Sequence, residues 1–245
     1  MSSGIFLRSI ELDGKSISYE WLQKEVKNLN LRIRADGTVT VSSPVDVELK
    51  EIESFLHRRK NFVLNMLRKS IAVNFSDLRG KQFVSGESYM LLGKALRLKI
   101  IQDARKQVTS DGVYLYLYTP ETSNTVANGG MIAEYFEQKR NVVYHEVLNY
   151  LYPPFRKYNI KLPELRIEHM PKRWGSCTAA KGIIRLHPHL IGTPRPCVEY
   201  IVMHELCHLI HPNHSKSFYS LLSVMMPDWK LRQNMLAQYP QAADV

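Results

Sequence analysis

The sequence predicts an α+β protein in two parts. Residues 1–119 form a small β-rich region with one helix, and residues 131–245 form a domain in which a small sheet edge lies above a helix carrying HELCH. Three observations predict this. Short runs in the first half alternate apolar and polar residues, the period of half-buried strands. The stretch PETSNTVANGG, residues 120–130, has linker composition. Beyond it apolar residues return at helical spacing, interrupted by two short alternating runs.

Taken in order, Ile10 to Tyr19 and Leu29 to Ser43 alternate as strands, and Asp36-Gly37 supplies a hairpin turn inside LNLRIRADGTVTVSSP. Residues 47–70 carry Ile52, Phe55, Leu56, Phe62, Val63, Met66 and Leu67, an amphipathic helix whose basic residues come late, where they complement its dipole. The basic run His57 to Lys60 reads as a solvated face, with phosphate contact as the alternative. Strands return from Gln82 to Tyr118, with a turn at Gly93 and with Tyr114, Tyr116 and Tyr118 alternating with leucines in GVYLYLYT. Tyrosines so placed most often cover a neighbouring helix; the other use is to stack nucleic-acid bases. A long helix is expected from Met131 to about Tyr152, closed by Pro153-Pro154. ELRIEHM follows as a strand, PKRWGSCTAAKG as a turn region and IIRLHPHL as a second strand. No internal repeat is evident.

The chain has 245 residues, 44% of them apolar and 23% charged, as expected for a folded globular protein. No apolar run approaches the ~20 residues that span a bilayer, so no membrane partner is expected. Met1 to Ile10 lacks the basic start and apolar core of a signal peptide, and the expected location is cytoplasmic. Cys177, Cys197 and Cys207 are odd in number and include no C-x-x-C pair, which argues against a disulfide framework. Net charge is +10, and between Lys139 and Arg185 ten basic residues face three glutamates. A basic surface of this kind is compatible with a nucleotide or nucleic-acid contact.

HELCHLIHPNH, His204 to His214, holds four of the nine histidines. A helix turns about 100° per residue, so His204 and His208 project from one face a single turn apart, with Glu205 on the flank. Two imidazoles at that spacing suit Zn²⁺, and the adjoining carboxylate reaches a water that zinc acidifies, so the pattern reads as two ligands plus a general base for hydrolysis. Glu199 and Glu205 are the only carboxylates between Val198 and Ile210, within apolar spacing that marks a buried helix. A glutamate and two histidines desolvated together need partners. The third ligand is sought among His211 and His214. Pro212 stops the helix near His211, whereas Asn213 or Ser215 could cap a new helix that folds His214 back, and His214 is preferred. His187 and His189 are the distant alternatives. Cys207 sits well away from His204 around the helix and reads as a packing residue.

PKRWGSCTAAKGIIRLHPHLI followed by VEYIVMHELCHLIHPNHSKSF strongly resembles the YgjP-like metal-dependent hydrolases, relatives of the SprT-like and wider zincin metallopeptidases. The matching pieces are Lys172 to Cys177, His204 to His208 and Asn213 to Ser215, in order, and the N-terminal half also looks like this family's. The resemblance implies a zincin-like C-terminal domain and a zinc ion on His204, His208 and His214 with Glu205 as general base. It departs after IIRL, where the family carries Asn or Ser and this chain has His187, Pro188 and His189; these could offer a second metal site or make hydrogen bonds.

These readings point to a zinc metallopeptidase acting on a peptide or protein. A sheet edge beside the metal helix could accept an extended peptide as an added strand. Arg173 or Ser176 could hold substrate or a developing oxyanion, and Tyr219 could donate a hydrogen bond to the transition state. Trp174 and Gly175 read as packing the turn against the motif helix. The alternatives are a metal-dependent nucleoside triphosphate pyrophosphatase, with Lys172, Arg173 and Lys181 on the phosphates, and a DNA-associated protein-processing or binding protein.

Overall fold

A computed structural model describes residues 5–33, 39–74, 78 and 81–239 and divides the chain into two units, Met1–Asn74 and Phe75–Val245. The division falls after the first helices and not at residues 120–130, because the second run of strands shares its core with the helices that follow.

In the first unit, the segment expected as one strand over Ile10 to Tyr19 is a hairpin of β1 (Ile5–Leu12) and β2 (Lys15–Gln23). Its turn, Asp13-Gly14, has φ of 51° and 74°, the left-handed pair that a two-residue hairpin requires. β3 (Asn30–Ile33) and β4 (Val39–Ser43) pair antiparallel as expected, with Ile33 opposite Val39; the Asp36-Gly37 turn lies outside the described residues. β2 and β4 run parallel at the centre, giving the order β1-β2-β4-β3. The single helix expected over 47–70 is two, α1 (Leu49–Arg58) and α2 (Lys60–Asn74), divided at Arg59, whose N–H bonds both Phe55 O and Leu56 O. Ile52, Leu56 and Val63 pack with Tyr19, Trp21, Val39 and Val41 in a core of this unit's own.

The second unit opens with the same topology. β5 (Ser88–Leu91) and β6 (Lys94–Gln102) form a hairpin, β7 (Gln107–Ser110) and β8 (Tyr114–Thr119) form another, and β6 and β8 run parallel between them in the order β5-β6-β8-β7. The turn is again a left-handed pair, Leu92 at 48° and Gly93 at 81°. A helix again follows, α3 (Thr125–Leu151). The two units thus share an arrangement of two hairpins and a helix, a repeat that the sequence does not show, since one core is built on Tyr19 and Trp21 where the other uses leucines.

α3 begins inside the expected linker. Asn124 Oδ1 accepts from Ala127 N at 3.1 Å as its cap, and Gly129 leaves room for the Phe83 ring, which an added Cβ would meet at 2.7 Å. Gly129 serves helix packing, and Gly130 lies in the same helix with open space beside it. After a 3-10 turn at Pro153–Tyr158 come β9 (Glu164–Ile167), β10 (Gly175–Thr178) and β11 (Ile183–Leu186), in the order β10-β11-β9. The expected turn region therefore contains a strand, GSCT, while the expected strand IIRLHPHL stops at Leu186 and passes into a 3-10 turn at Pro188–Gly192. α4 (Arg195–His208), α5 (Lys216–Met225) and α6 (Trp229–Leu236) close the chain. The architecture is mixed α+β with small sheets, and among the described residues no helix is long and apolar enough to cross a membrane.

The second sheet is tied to the helix that carries the motif. Leu92 N donates to Ile191 O at 2.7 Å and Gly93 N to Gly192 O at 3.0 Å, so the β5–β6 turn grips the 3-10 turn ahead of α4. Gly93 is needed twice over: its φ is positive, and a Cβ there would stand 2.8 Å from Pro194 Cγ.

Candidate metal centre

α4 is apolar nearly all round because it lies inside the core: Val198, Ile201, Val202, Met203, Leu206 and Cys207 are all buried. Burial pushes the Cys207 thiol up to about 12, the behaviour of a packing cysteine. Glu199 meets Arg232 at 2.5 Å and Arg195 at 3.4 Å, which accounts for the helix's first carboxylate.

The helix ends at His208, and the turn before Pro212 is held by His211 N on Cys207 O at 2.9 Å. Ser215, not Asn213, caps α5 by accepting from Phe218 N at 3.4 Å. That turn brings His214 back over the end of α4. The Nε2 atoms of His204, His208 and His214 stand 3.2, 3.1 and 2.9 Å from one another. Among the described residues this is the group whose donor atoms converge closely enough to hold a metal ion.

The donor chemistry fits a divalent cation. Zinc bonds of 2.0–2.1 Å at tetrahedral angles put ligand nitrogens about 3.3 Å apart. A protonated Nε2 has no in-plane lone pair, so three facing Nε2 atoms cannot satisfy one another by hydrogen bonds. His208 Nδ1 donates to His211 O at 3.0 Å, which leaves its Nε2 bare and turned to the centre. Burial, reinforced by His208 and His214, pulls the His204 imidazole down to about 3, and burial also lowers His208. Both rings are neutral, as ligands must be. His211, the nearer alternative, contributes its carbonyl.

The sequence reading treated Phe218 only as an apolar helix position. Its fully buried ring lies against all three imidazoles, with centroids 4.9, 4.6 and 4.8 Å from His204, His208 and His214. Its place three residues after the capping serine was the signal available. Gly175, read from the sequence as packing against the motif helix, lies there. A Cβ there would be 2.8 Å from both Glu205 Oε1 and Ile201 Cγ2, so the missing side chain lets β10 lie directly against α4.

Glu205 is 5% exposed. Burial pushes its carboxyl up to about 8, and the Arg173 guanidinium acts in the opposite sense. Arg173 itself is exposed, while Trp174 is buried with its edge against His187. Ser176 donates to Met170 Sδ at 3.4 Å. Strand alternation puts it on the face of β10 opposite the one that meets Glu205, away from an oxyanion at the histidines. Tyr219 is 41% exposed and stacks between Trp229 and His214, at 5.6 and 6.1 Å. His187 is buried, accepts from His189 N at 3.1 Å through Nδ1, and donates its backbone N–H to Trp174 O at 2.9 Å. With His189 and His169 it forms an edge-to-face group that staples the start of β10 to the end of β11, and these rings do not converge their donor atoms.

A helix carrying H-E-x-x-H with a later histidine folded back beside it is an arrangement that could hold a metal ion. The family described as YgjP-like, metallopeptidase domain, matches residues 27–239, and the chain belongs to that family. It is a metal-dependent hydrolase of the peptidase type. Among curated proteins none matches. Among solved structures, the metallopeptidase zymogen of Pyrococcus abyssi abylysin is similar at a TM-score of 0.35 and 20% identity, over 39% of this chain and 93% of that one.

Proposed function

We propose that the protein is a zinc-dependent peptidase in which His204, His208 and His214 hold the ion and Glu205 is the general base. The observation that carries this reading is the triangle of Nε2 atoms, 2.9 to 3.2 Å on a side, beside a buried glutamate. Zinc, when bound, supplies a Lewis acid for the peptide carbonyl and lowers the pKa of water towards 7. The Glu205 carboxylate takes the proton of the attacking water and returns it to the leaving amine. β10 is an edge of its sheet, and Gly175 brings that edge against Glu205, so a peptide adding as a further strand along Gly175–Thr178 would present its carbonyls to the site. Tyr219, held beside His214 by Trp229, is the residue placed to donate to the developing oxyanion.

The test is metal content and cleavage of an unfolded protein substrate by the purified full chain. One zinc per chain is expected. Glu205→Gln should keep the zinc and lose hydrolysis by about 10²–10⁴-fold. Full activity in that variant would end the general-base assignment, and unchanged zinc in His214→Ala under mild chelation would end the ligand assignment. Arg173→Gln removes the charge that favours ionised Glu205, so the carboxyl titrates higher. A base works only when deprotonated, so the acidic limb of the pH–rate profile should move to higher pH.

A further inference from the structure

The second sheet has one face that its core does not use. Leu98, Leu115 and Leu117 face inwards against α3, while Tyr114, Tyr116 and Tyr118 alternate with them on the other side of β8. The register places Arg97 beside Tyr114 and Lys99 beside Tyr116 on that side. The three rings form a column with centroids 5.9 and 6.4 Å apart, and each keeps part of its surface open. Lys99 Nζ lies 3.4 Å from the Tyr114 centroid and 5.6 Å from that of Tyr116, and the Arg105 guanidinium lies 4.7 Å from that of Tyr118. Between Lys94 and Thr119 there are five basic residues and two aspartates. One aspartate is committed to Arg105, and the other accepts from the Tyr116 hydroxyl and from the turn backbone.

The equivalent face of the first sheet is different. The matched centres of the two sheets, Tyr19 opposite Val39 and Leu98 opposite Leu115, put Glu20 where Lys99 stands, and Thr40 and Ser42 where Tyr116 and Tyr118 stand. Glu20 there accepts from Thr40 Oγ1. The fold therefore does not fix aromatic and basic residues at these positions, and Thr40 and Ser42 are buried where the three tyrosines keep part of their surface open.

We propose that this face binds single-stranded nucleic acid, with bases stacking on the tyrosine column and phosphates meeting Arg97, Lys99 and Arg105. Charge complementarity and ring spacing argue for that occupant. Rings about 6 Å apart are too widely spaced for the 3.4 Å step of a duplex strand and suit a stretched single strand in which each base meets its own ring. Exposed cation–π contacts are weak, so Lys99 can leave the rings for phosphate as bases arrive, while Arg105 stays bonded to Asp103 through Nε and Nη2 and would meet phosphate from that position. This proposal does not depend on the metal site.

The experiment is fluorescence anisotropy of a labelled 15-nucleotide oligothymidylate with the full chain, from 50 to 200 mM NaCl, beside a duplex of equal length. Binding that favours the single strand is expected. Tyr116→Ala should weaken it about tenfold, the loss of one stacked base, while Tyr116→Phe keeps the ring and should bind nearly as the parent does. Lys99→Gln should lower the salt slope by about 0.7. Thermal melts establish that each variant is folded, and Tyr118→Ala serves if Tyr116→Ala is not. Glu205→Gln should bind like the parent, which separates this outcome from that of the peptidase reading. No binding at 50 mM NaCl, equal affinity for the duplex, or tight binding by a folded Tyr→Ala variant would overturn the proposal.

Discussion

The two four-stranded sheets share strand order and turn conformation, and in the second the turn is bonded to the segment that leads into α4. At the first turn, nothing lies within 4 Å of a Cβ placed on Gly14. At the second, Gly93 presses on Pro194 and its backbone bonds Gly192, just ahead of α4. The same backbone device carries backbone bonds and a proline contact in one copy and an exposed ion pair, Asp13 with Lys60, in the other. Topology alone therefore does not tell which copy serves function; the contacts at the tip do.

The largest expected effects lie where the second copy's core meets the site. Phe218→Ala empties a fully buried position that backs all three imidazoles. It should cost about 3–5 kcal/mol in chemical denaturation and weaken zinc retention under chelation. A loss of stability with unchanged metal affinity would mean that the histidines are oriented by α4 and its closing turn alone.

The convergence of His204, His208 and His214 was legible because H-E-x-x-H is a local pattern and Pro212 fixes where the helix must end. Ser215 as a cap and the return of His214 follow from equally local chemistry. The supporting residues were less legible. Phe218 is announced only by its place three residues after the capping serine, and Gly175, legible as packing against the motif helix, shows its closeness to Glu205 only in the contact of β10 with α4. The strand boundaries had a signal of their own: Asp13-Gly14 is a hairpin dipeptide as plain as Asp36-Gly37, and the apolar phase changes across it, from Ile10 and Leu12 to Ile17 and Tyr19, so a single strand there is inconsistent with the pattern. The linker expected at 120–130 took its glycines as breakers, whereas Gly129 is small because the Phe83 ring needs the space. The repeat was hidden because equivalent inward positions carry Tyr19 and Val39 in one copy and Leu98 and Leu115 in the other, which conserve burial without conserving sequence.

The comparison of turns can be made directly. Gly93→Ala and Gly14→Ala both place a side chain at positive φ, a strain of about 1–2 kcal/mol. Only Gly93→Ala also drives a methyl into Pro194, which adds about 1–3 kcal/mol of overpacking and shifts the start of α4. Denaturation midpoints should therefore fall further for Gly93→Ala, and zinc affinity should drop in that variant alone. Equal losses, or a zinc defect in Gly14→Ala, would break the distinction between the two tips.

The smallest effect is expected at the first turn's ion pair. Lys60 Nζ meets Asp13 Oδ1 at 2.7 Å, but both side chains are roughly half exposed, and such pairs contribute below about 1 kcal/mol. Lys60 also sits in the first turn of α2, where its charge opposes the helix dipole and Asp13 does little more than offset it. Lys60→Ala should thus leave the denaturation midpoint nearly unchanged and insensitive to added salt. A loss well above 1 kcal/mol that high salt abolishes would show that the first tip is also fastened, by charge where the second is fastened by backbone bonds and a proline, and the two copies would then differ in the means of attachment only.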